Sequence, residues 1–394
     1  MTERFKILKN LLEKEKCFKM ICGAGNEDAL YVKKLALIYT LAGAKILDIS
    51  ANVNVVKHAM EGIDMAYKLQ DKLNIKVGIR PYIMVSIGMP GDHHVRKSYI
   101  DPTKCIGCNL CIPVCPTEAI PKTFTGELDL FKALKGSFEI EDQSKEIVIK
   151  DLCIGCGKCS NICPKDDIIS YRHNARELRE LLPKCMEAGA ETFELHAAVG
   201  EQKVTMEEWE LINEINPDNY NSMCLDRLHL GNFKLEHRIK EAKNISRNKL
   251  IIQADGYPMS GGENNFNSTL QAVACADVIN KKFNMRVNKK EAALSNKGKF
   301  KKRGSGKAKV ISKRIYKPNS HKDNIPIMLS GGTNSLSKNL SDLMGVRCNG
   351  VAIGTYARDI IEDFVSDSNF YTDINIIKKA YNRANQLVKI NINE

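Results

Sequence analysis

The sequence predicts an α/β protein: a (β/α)8 barrel-like domain interrupted by a smaller, cysteine-rich α+β module. Two observations carry that expectation. Eight short β-rich runs alternate with amphipathic segments along the chain, the order that wraps helices around a closed parallel sheet. Eight cysteines in two matching runs then stand between the third β-rich run and its helix. A doubly wound open sheet is the alternative reading of the same alternation.

The strand segments are Phe18–Cys22, Ile46–Ser50, Val77–Ile87, Thr192–His196, Tyr220–Cys224, Leu250–Ala254, Pro326–Ser330 and Gly350–Gly354, rich in β-branched and other apolar residues. Apolar residues at helical spacing mark Asn26–Leu41, Val53–Leu73, Ala175–Ala188, Phe233–Arg247, Asn267–Lys282 and Asp359–Leu387. The resulting organisation is a first part of the barrel over 1–98, the insert over 99–172 and the barrel continued over 173–282. A basic segment over 283–324 and the last barrel units over 325–394 follow. An insertion after the third strand leaves the barrel at its C-terminal face, where barrel active sites form, so the module is expected to overlook the mouth.

The first cysteine run is Cys105, Cys108, Cys111 and Cys115 followed by Pro116; the second is Cys153, Cys156, Cys159 and Cys163 followed by Pro164. Both read C-x2-C-x2-C-x3-C-P. Three thiolates two residues apart wrap one face of an iron–sulfur cubane, and the displaced fourth reaches the other cluster of a two-cluster ferredoxin-like module. One [4Fe-4S] cluster is therefore assigned to Cys105, Cys108, Cys111 and Cys163, and the other to Cys153, Cys156, Cys159 and Cys115. Zinc is the competing reading, but four ligands from two C-x2-C pairs need neither a third cysteine nor the trailing proline. The spacer 117–152 is longer than a compact bacterial ferredoxin needs, so an extra turn or hairpin is expected around Phe131–Ile149. The cysteines at 17, 22, 185, 224, 275 and 348 show no ligand spacing and read as buried thiols.

Two glycine loops follow the last two strands: Ser330-Gly331-Gly332-Thr333-Asn334-Ser335, and Gly350 to Gly354 leading into Thr355. Loops after strands 7 and 8 hold phosphate in many barrels, because glycine lets backbone N–H groups approach an anion. Gly331, Gly332, Thr333, Gly354 and Thr355 are thus candidate contacts for FMN or another phosphate-bearing ligand, with Ser260–Asn264 as a further contributor. The bland reading is that these glycines make tight turns and that Asn334 or Ser335 caps a helix. Asp48, Arg80, Glu194, His196, Asp226 and Asp255 sit at strand ends, yet no pair has a diagnostic catalytic spacing, and no catalytic residue is assigned.

With 394 residues, 43% of them hydrophobic and 27% charged, the chain lies in the globular band, and hormone-sized or disulfide-stapled classes are excluded. Its charge of +12 invites a nucleic-acid reading. Residues 281–324, however, hold sixteen Lys or Arg against two acids, hence +14, and the rest of the chain is close to neutral, at about −2. Within that stretch, Asn296–Lys309 has no apolar periodicity and reads as a disordered loop. Its few aromatics do not make a stacking platform, so nucleic acid is not favoured as a partner. No apolar run approaches the roughly 18 residues that span a bilayer, and the first residues lack a signal peptide's apolar core. The expectation is a protein without a membrane span, cytoplasmic or, in an alga, in the plastid stroma.

Several motifs together resemble the LdpA family, the light-dependent period proteins of cyanobacteria with relatives in algae and plants. They are Phe18-Lys-Met-Ile-Cys-Gly-Ala24, Leu37 to Ala44 with Asp48, Gly88-Met-Pro-Gly-Asp-His-His94 and both cysteine runs. Gln253 to Gly262, Ser330-Gly-Gly-Thr-Asn334 and Gly354-Thr-Tyr-Ala-Arg358 complete the set. The resemblance implies an iron–sulfur protein that senses redox state, as set by photosynthetic electron flow, and passes it to the circadian clock. It implies clock-input or clock kinase proteins as partners and redox carriers such as quinone or ferredoxin as inputs. The reading from the residues themselves leaves a second hypothesis open: an oxidoreductase whose two clusters feed a flavin or phosphate-bearing ligand at the barrel mouth.

Overall fold

The computed structural model describes residues 2–92, 94–121, 147–149, 152–153, 155–171, 175–247, 249–258, 265–287, 316–318 and 324–393. Eight parallel strands close into a barrel: β1 (Cys17–Ile21), β2 (Ile46–Ser50), β3 (Tyr82–Gly88), β6 (Thr192–His196), β7 (Asn221–Asp226), β8 (Leu250–Asp255), β11 (Ile327–Ser330) and β12 (Gly350–Ile353), which pairs back onto β1. The remaining four strands form two small ribbons: β4 (Ser98–Ile100) with β5 (Ile169–Tyr171), and β9 (Met285–Val287) with β10 (Tyr316–Pro318), both antiparallel. The closed parallel sheet bears out the barrel over the open sheet.

Alternation along the strands sorts the side chains into two environments. Phe18, Met20, Leu47, Ile49, Ile83, Val85, Phe193 and Leu195 pack outward into the large core shared with the helices. Cys17, Ile46, Tyr82, Met84, Tyr220, Ile251, Met328 and Ala352 form a second cluster with Phe5, Leu8 and Leu12. Those three residues belong to the helix Glu3–Glu13, absent from the sequence reading, whose N-cap Thr2 accepts from the Phe5 N–H. The helix seals the N-terminal end of the barrel. Each of the three side chains contributes roughly 1.5–3 kcal/mol by leaving water.

Several expected boundaries shift for local reasons. The run 77–81 is not strand: Pro81 lacks the N–H a ladder needs, and β3 starts at Tyr82. The helix expected over 267–282 turns π-helical at Asn280–Asn284, where the Asn284 side chain instead pairs with both backbone groups of Ile325. The segment 359–387 is broken into Thr355–Asp359, Glu362–Val365 and Ile374–Ile392. At the break Asp367 takes the Asn369 N–H, Phe370 is buried, and Asp373 caps the last helix. Helix Gln202–Ile215 follows β6 and helix Ser337–Leu343 follows β11, outside the six segments that apolar spacing marks but in keeping with a helix after each strand.

The insert leaves β3 and passes through β4, the short helices Cys111–Val114 and Lys158–Ile162, and β5 before the helix Ala175–Ala188. Its own small core gathers Ile100, Ala119, Ile120, Ile147, Val148 and Ile168. The hairpin expected at Phe131–Ile149 lies almost wholly outside the described residues, as do Ser260–Asn264 and Asn296–Lys309. Of the basic segment, the β9–β10 ribbon and a few neighbouring residues are described. Among the described residues, no helix is long and apolar enough to cross a membrane.

Candidate functional site

The eight motif cysteines fall into two quartets. Cys105, Cys108, Cys111 and Cys163 line one small cavity of the insert, walled by Ile100, Ile112, Ile120, Ile147 and Ile168. Cys115, Cys153, Cys156 and Cys159 line a second, with Ser98, Pro116, Ala119, Val148 and Gly155. The fourth cysteine of each run thus faces the other run's triplet. Backbone N–H groups already point at the sulfurs: Ser98 and Gly155 donate to Cys153 Sγ at 3.3 and 3.4 Å, and Ala119 donates to Cys115 Sγ at 3.3 Å. Apolar walls, four thiols and amide donors to sulfur are the surroundings an iron–sulfur cubane requires.

A larger cavity of about 470 Å³ opens at the C-terminal mouth of the barrel. Gly331, Gly332, Thr333, Gly354 and Thr355, the candidate phosphate contacts, all line it, together with Arg358, His94 and Lys97. Gly331 and Gly332 have φ of +61° and +69°, and a Cβ on Gly332 would stand 2.3 Å from that of Ser268. The loop therefore depends on glycine. Thr333 donates its hydroxyl to the carbonyl of Ala352, and Thr269 donates to that of Gly332 at 2.9 Å, pinning the loop to β12 and to the helix Asn265–Ile279. Arg358 reaches Thr355 Oγ1 at 3.2 Å.

Charged groups form the floor of this cavity. Lys19, on β1, is fully buried and its Nζ lies 2.8 Å from Asp48 Oδ2 and 2.5 Å from Glu194 Oε2. Asp48 also accepts from Ser86 Oγ at 2.6 Å, and Cys224 Sγ donates to Glu194 Oε1 at 3.0 Å. His196 presents Nδ1 3.0 Å from Asp92 Oδ2 and Nε2 3.7 Å from Glu194 Oε1. Burial opposes protonation of His196, but Asp92, with Glu194 and Asp48 behind it, raises its pKa to about 9. Burial likewise opposes ionisation of Glu194, which Lys19 and His196 nevertheless hold below the usual range, whereas burial pushes Asp48 up to about 6. Asp255 is driven to about 8 by burial and by the nearby Glu194 and Asp226 carboxylates, so it carries its proton at neutral pH.

The cavity and the second quartet are adjacent in the chain and in space. Lys97 lines the cavity and donates from Nζ to the Cys153 carbonyl at 2.9 Å, and Ser98 donates to the Cys153 sulfur. Arg96 packs its guanidinium 5.3 Å from the centre of the Tyr171 ring and lies 3.6 Å from Glu208 of the helix Gln202–Ile215. Tyr171 OH in turn stands 3.8 Å from Cys159 Sγ.

Of the polar strand-end residues, Asp48, Glu194, His196 and Asp255 line the mouth. Arg80 does not: it precedes β3 and pairs with Glu191 at 3.1 Å, beside Arg4, because a residue ahead of a barrel strand faces the N-terminal end. Asp226 is spent on the His229 N–H and ring nitrogen, each at 2.7 Å. Sequence reasoning missed Lys19, although a lysine inside the apolar run Cys17-Phe-Lys-Met-Ile21 was the available signal, and it missed Asp92. All six remaining cysteines are buried, but Cys224 differs from the rest in touching the charged cluster.

Comparison with known proteins bears on the family. Residues 104–180 match the 4Fe-4S double cluster binding domain family. The chain is similar to Light dependent period A of Synechococcus elongatus, at 31% identity over 246 residues, covering 62% of this chain and 61% of that protein. It thus matches less than two thirds of that relative's length. A solved structure, the YdjI aldolase from Escherichia coli K12, overlays with a TM-score of 0.41 at 6% identity, covering 97% of this chain and 91% of that one. The Synechococcus relative bears out the resemblance to the LdpA family, and residues 104–180 carry a 4Fe-4S double cluster binding domain.

Proposed function

We propose that this chain is a redox-sensing protein whose two [4Fe-4S] clusters report the state of an electron-carrier pool, as a light-dependent modulator of circadian period would. One observation carries the reading: the eight cysteines separate into two quartets, and the second is joined through Lys97 and Ser98 to the barrel-mouth cavity. When bound, the clusters supply one-electron exchange, at potentials that across proteins span about −700 to +450 mV. The amides of Ser98, Gly155 and Ala119 favour added negative charge on the sulfurs they face, and the Lys97 ammonium acts in the same direction. A change of charge at the second quartet is therefore felt at Lys97 and in the cavity it lines. Redox carriers such as quinone or ferredoxin are the proposed inputs, and clock-input or clock kinase proteins the proposed outputs. Likeness to a relative named for light-dependent period supports them. The proposed compartment is the cytoplasm or, in an alga, the plastid stroma.

Anaerobic purification should yield about eight iron and eight sulfide per chain and a reversible transition in an electrochemical titration. Absence of any transition, together with partner binding that is unchanged after cluster loss, overturns the proposal.

A second reading has its own support in the 470 Å³ cavity: an oxidoreductase passing electrons to a flavin or phosphate-bearing ligand held by Gly331, Gly332, Thr333, Gly354 and Thr355. Spectra and mass analysis of small molecules released from the anaerobic protein test it. Flavin bands or a released phosphate compound would favour it, and finding neither would remove it.

A further inference from the structure

We propose that the barrel mouth holds a mononuclear site for a divalent cation of the zinc class, ligated by His196 Nε2, Cys224 Sγ and Glu194 Oε1, separate from the iron–sulfur quartets. The three donor atoms lie within 4.8 Å of one another at the base of the cavity. They come from two neighbouring strands, β6 and β7, on which His196 and Cys224 are direct register partners. An imidazole, a thiolate and a carboxylate are the donor types that select zinc among the common divalent ions.

The surroundings are those of a ligand set rather than of ordinary interior packing. Asp92 Oδ2 lies on the Nδ1 side of His196 at 3.0 Å, which leaves Nε2 to face the other two donors; a carboxylate behind a ligating imidazole recurs in metal sites. Among the described residues neither ring nitrogen of His196 has a well-aligned hydrogen-bond partner, Asp92 Oδ2 standing close to Nδ1 and nothing hydrogen-bonding Nε2. Lys19 occupies Glu194 Oε2 and leaves Oε1 toward Cys224 and His196. Asp255, only 3% exposed, lines the same cavity with an Oδ1 that likewise has no partner among the described residues. Three protein ligands at the base of an open cavity leave the fourth position for water or an oxygen donor of a ligand, the pattern of catalytic rather than structural zinc. Asp92 is a positioning residue here. On binding, the cation displaces two protons to solvent, the one that Cys224 shares with Glu194 and the one on His196 Nε2, so both donors ligate in their deprotonated forms.

The test uses the anaerobic holoprotein with its iron–sulfur clusters intact, stripped of loosely held metal by a chelator and then given Zn2+ alone. Zinc content and zinc-edge X-ray absorption are read, since iron does not interfere with the latter. The expected result is about one zinc per chain with one sulfur at about 2.3 Å and nitrogen or oxygen at about 2.0–2.1 Å. Cys224→Ser should remove the sulfur from that shell, and Asp92→Asn should weaken zinc binding roughly 10–100-fold, with the iron content of both variants unchanged. A shell of sulfur alone would mean zinc at cluster cysteines, and no retained zinc, or equal zinc in wild type and a Cys224→Ser/His196→Gln variant, would mean no site. Either result overturns the proposal, and the wild-type spectrum decides it even if a variant fails to fold.

Discussion

Lys97 donates a 2.9 Å hydrogen bond from Nζ to the backbone carbonyl of Cys153 while lining the barrel-mouth cavity, so one side chain touches both the second cysteine quartet and the barrel. Removing its charge should make reduction harder at the second cluster only. Lys97→Met is expected to lower that potential by roughly 30–60 mV and to leave the first cluster where it was. Redox titration followed by electron paramagnetic resonance reads both values, and an equal shift of the two would contradict the link.

The crossed quartets predict which cysteine variants behave alike. Cys163→Ser should give the same residual spectrum as Cys105→Ser, and Cys115→Ser the same as Cys153→Ser, although each pair joins residues of different runs. Sequential ligation would instead group Cys115 with Cys105. The resonance spectra of the four reduced variants distinguish these outcomes.

Lys19 neutralises Glu194 and Asp48 in a place water does not reach. Lys19→Met leaves two buried carboxylates facing each other and should cost roughly 3–5 kcal/mol of stability. Adding Glu194→Gln should recover part of the loss, because one of the stranded charges disappears. Urea unfolding of the anaerobic protein measures both steps, and a neutral single variant would show that the pair is not held as drawn.

Glu208, buried against Arg96, has its pKa pushed up to about 7 by burial, with Arg96 opposing the rise. Between the unfolded value near 4.5 and 7 the folded state keeps a proton that the unfolded chain has released, so stability falls as pH rises through that window. Full loss, above pH 7, is on the order of 3 kcal/mol. Glu208→Gln should flatten this part of the profile. Thermal unfolding from pH 5 to 9 compares the two proteins, and identical slopes would count against the assignment.

Gly332 combines a left-handed backbone with a Cβ position already taken by Ser268. Gly332→Ala should lower stability by roughly 1–3 kcal/mol, and Gly332→Val should also abolish retention of inorganic phosphate or any phosphate compound in the cavity. Calorimetric titration with phosphate, beside a melting curve, separates the two effects. Unaltered phosphate binding in Gly332→Val would remove this loop from the anion site.

Much of the fold was legible because its signals are local. The segments Ile46–Ser50, Thr192–His196, Val53–Leu73 and Ala175–Ala188 appear with the boundaries that periodicity alone assigns. The break in 359–387 was not legible, since its apolar spacing continues through a turn that Asp367, Phe370 and Asp373 impose. The sealing helix Glu3–Glu13 escaped for a related reason: its apolar face is defined by the barrel end it covers.

By itself the sequence determined the cysteine motif and the period-2 and period-3.6 patterns, because the spacing within a cluster triplet and the face of a strand are set over a few residues. Only the tertiary structure decided that Cys224, with no ligand spacing of its own, stands beside Glu194 and His196, and that Lys19 answers carboxylates from β2 and β6. Barrel closure brings inward-facing residues of distant strands to one buried level, where charges interact strongly enough to require partners. That proximity depends on strand register, which no single segment contains.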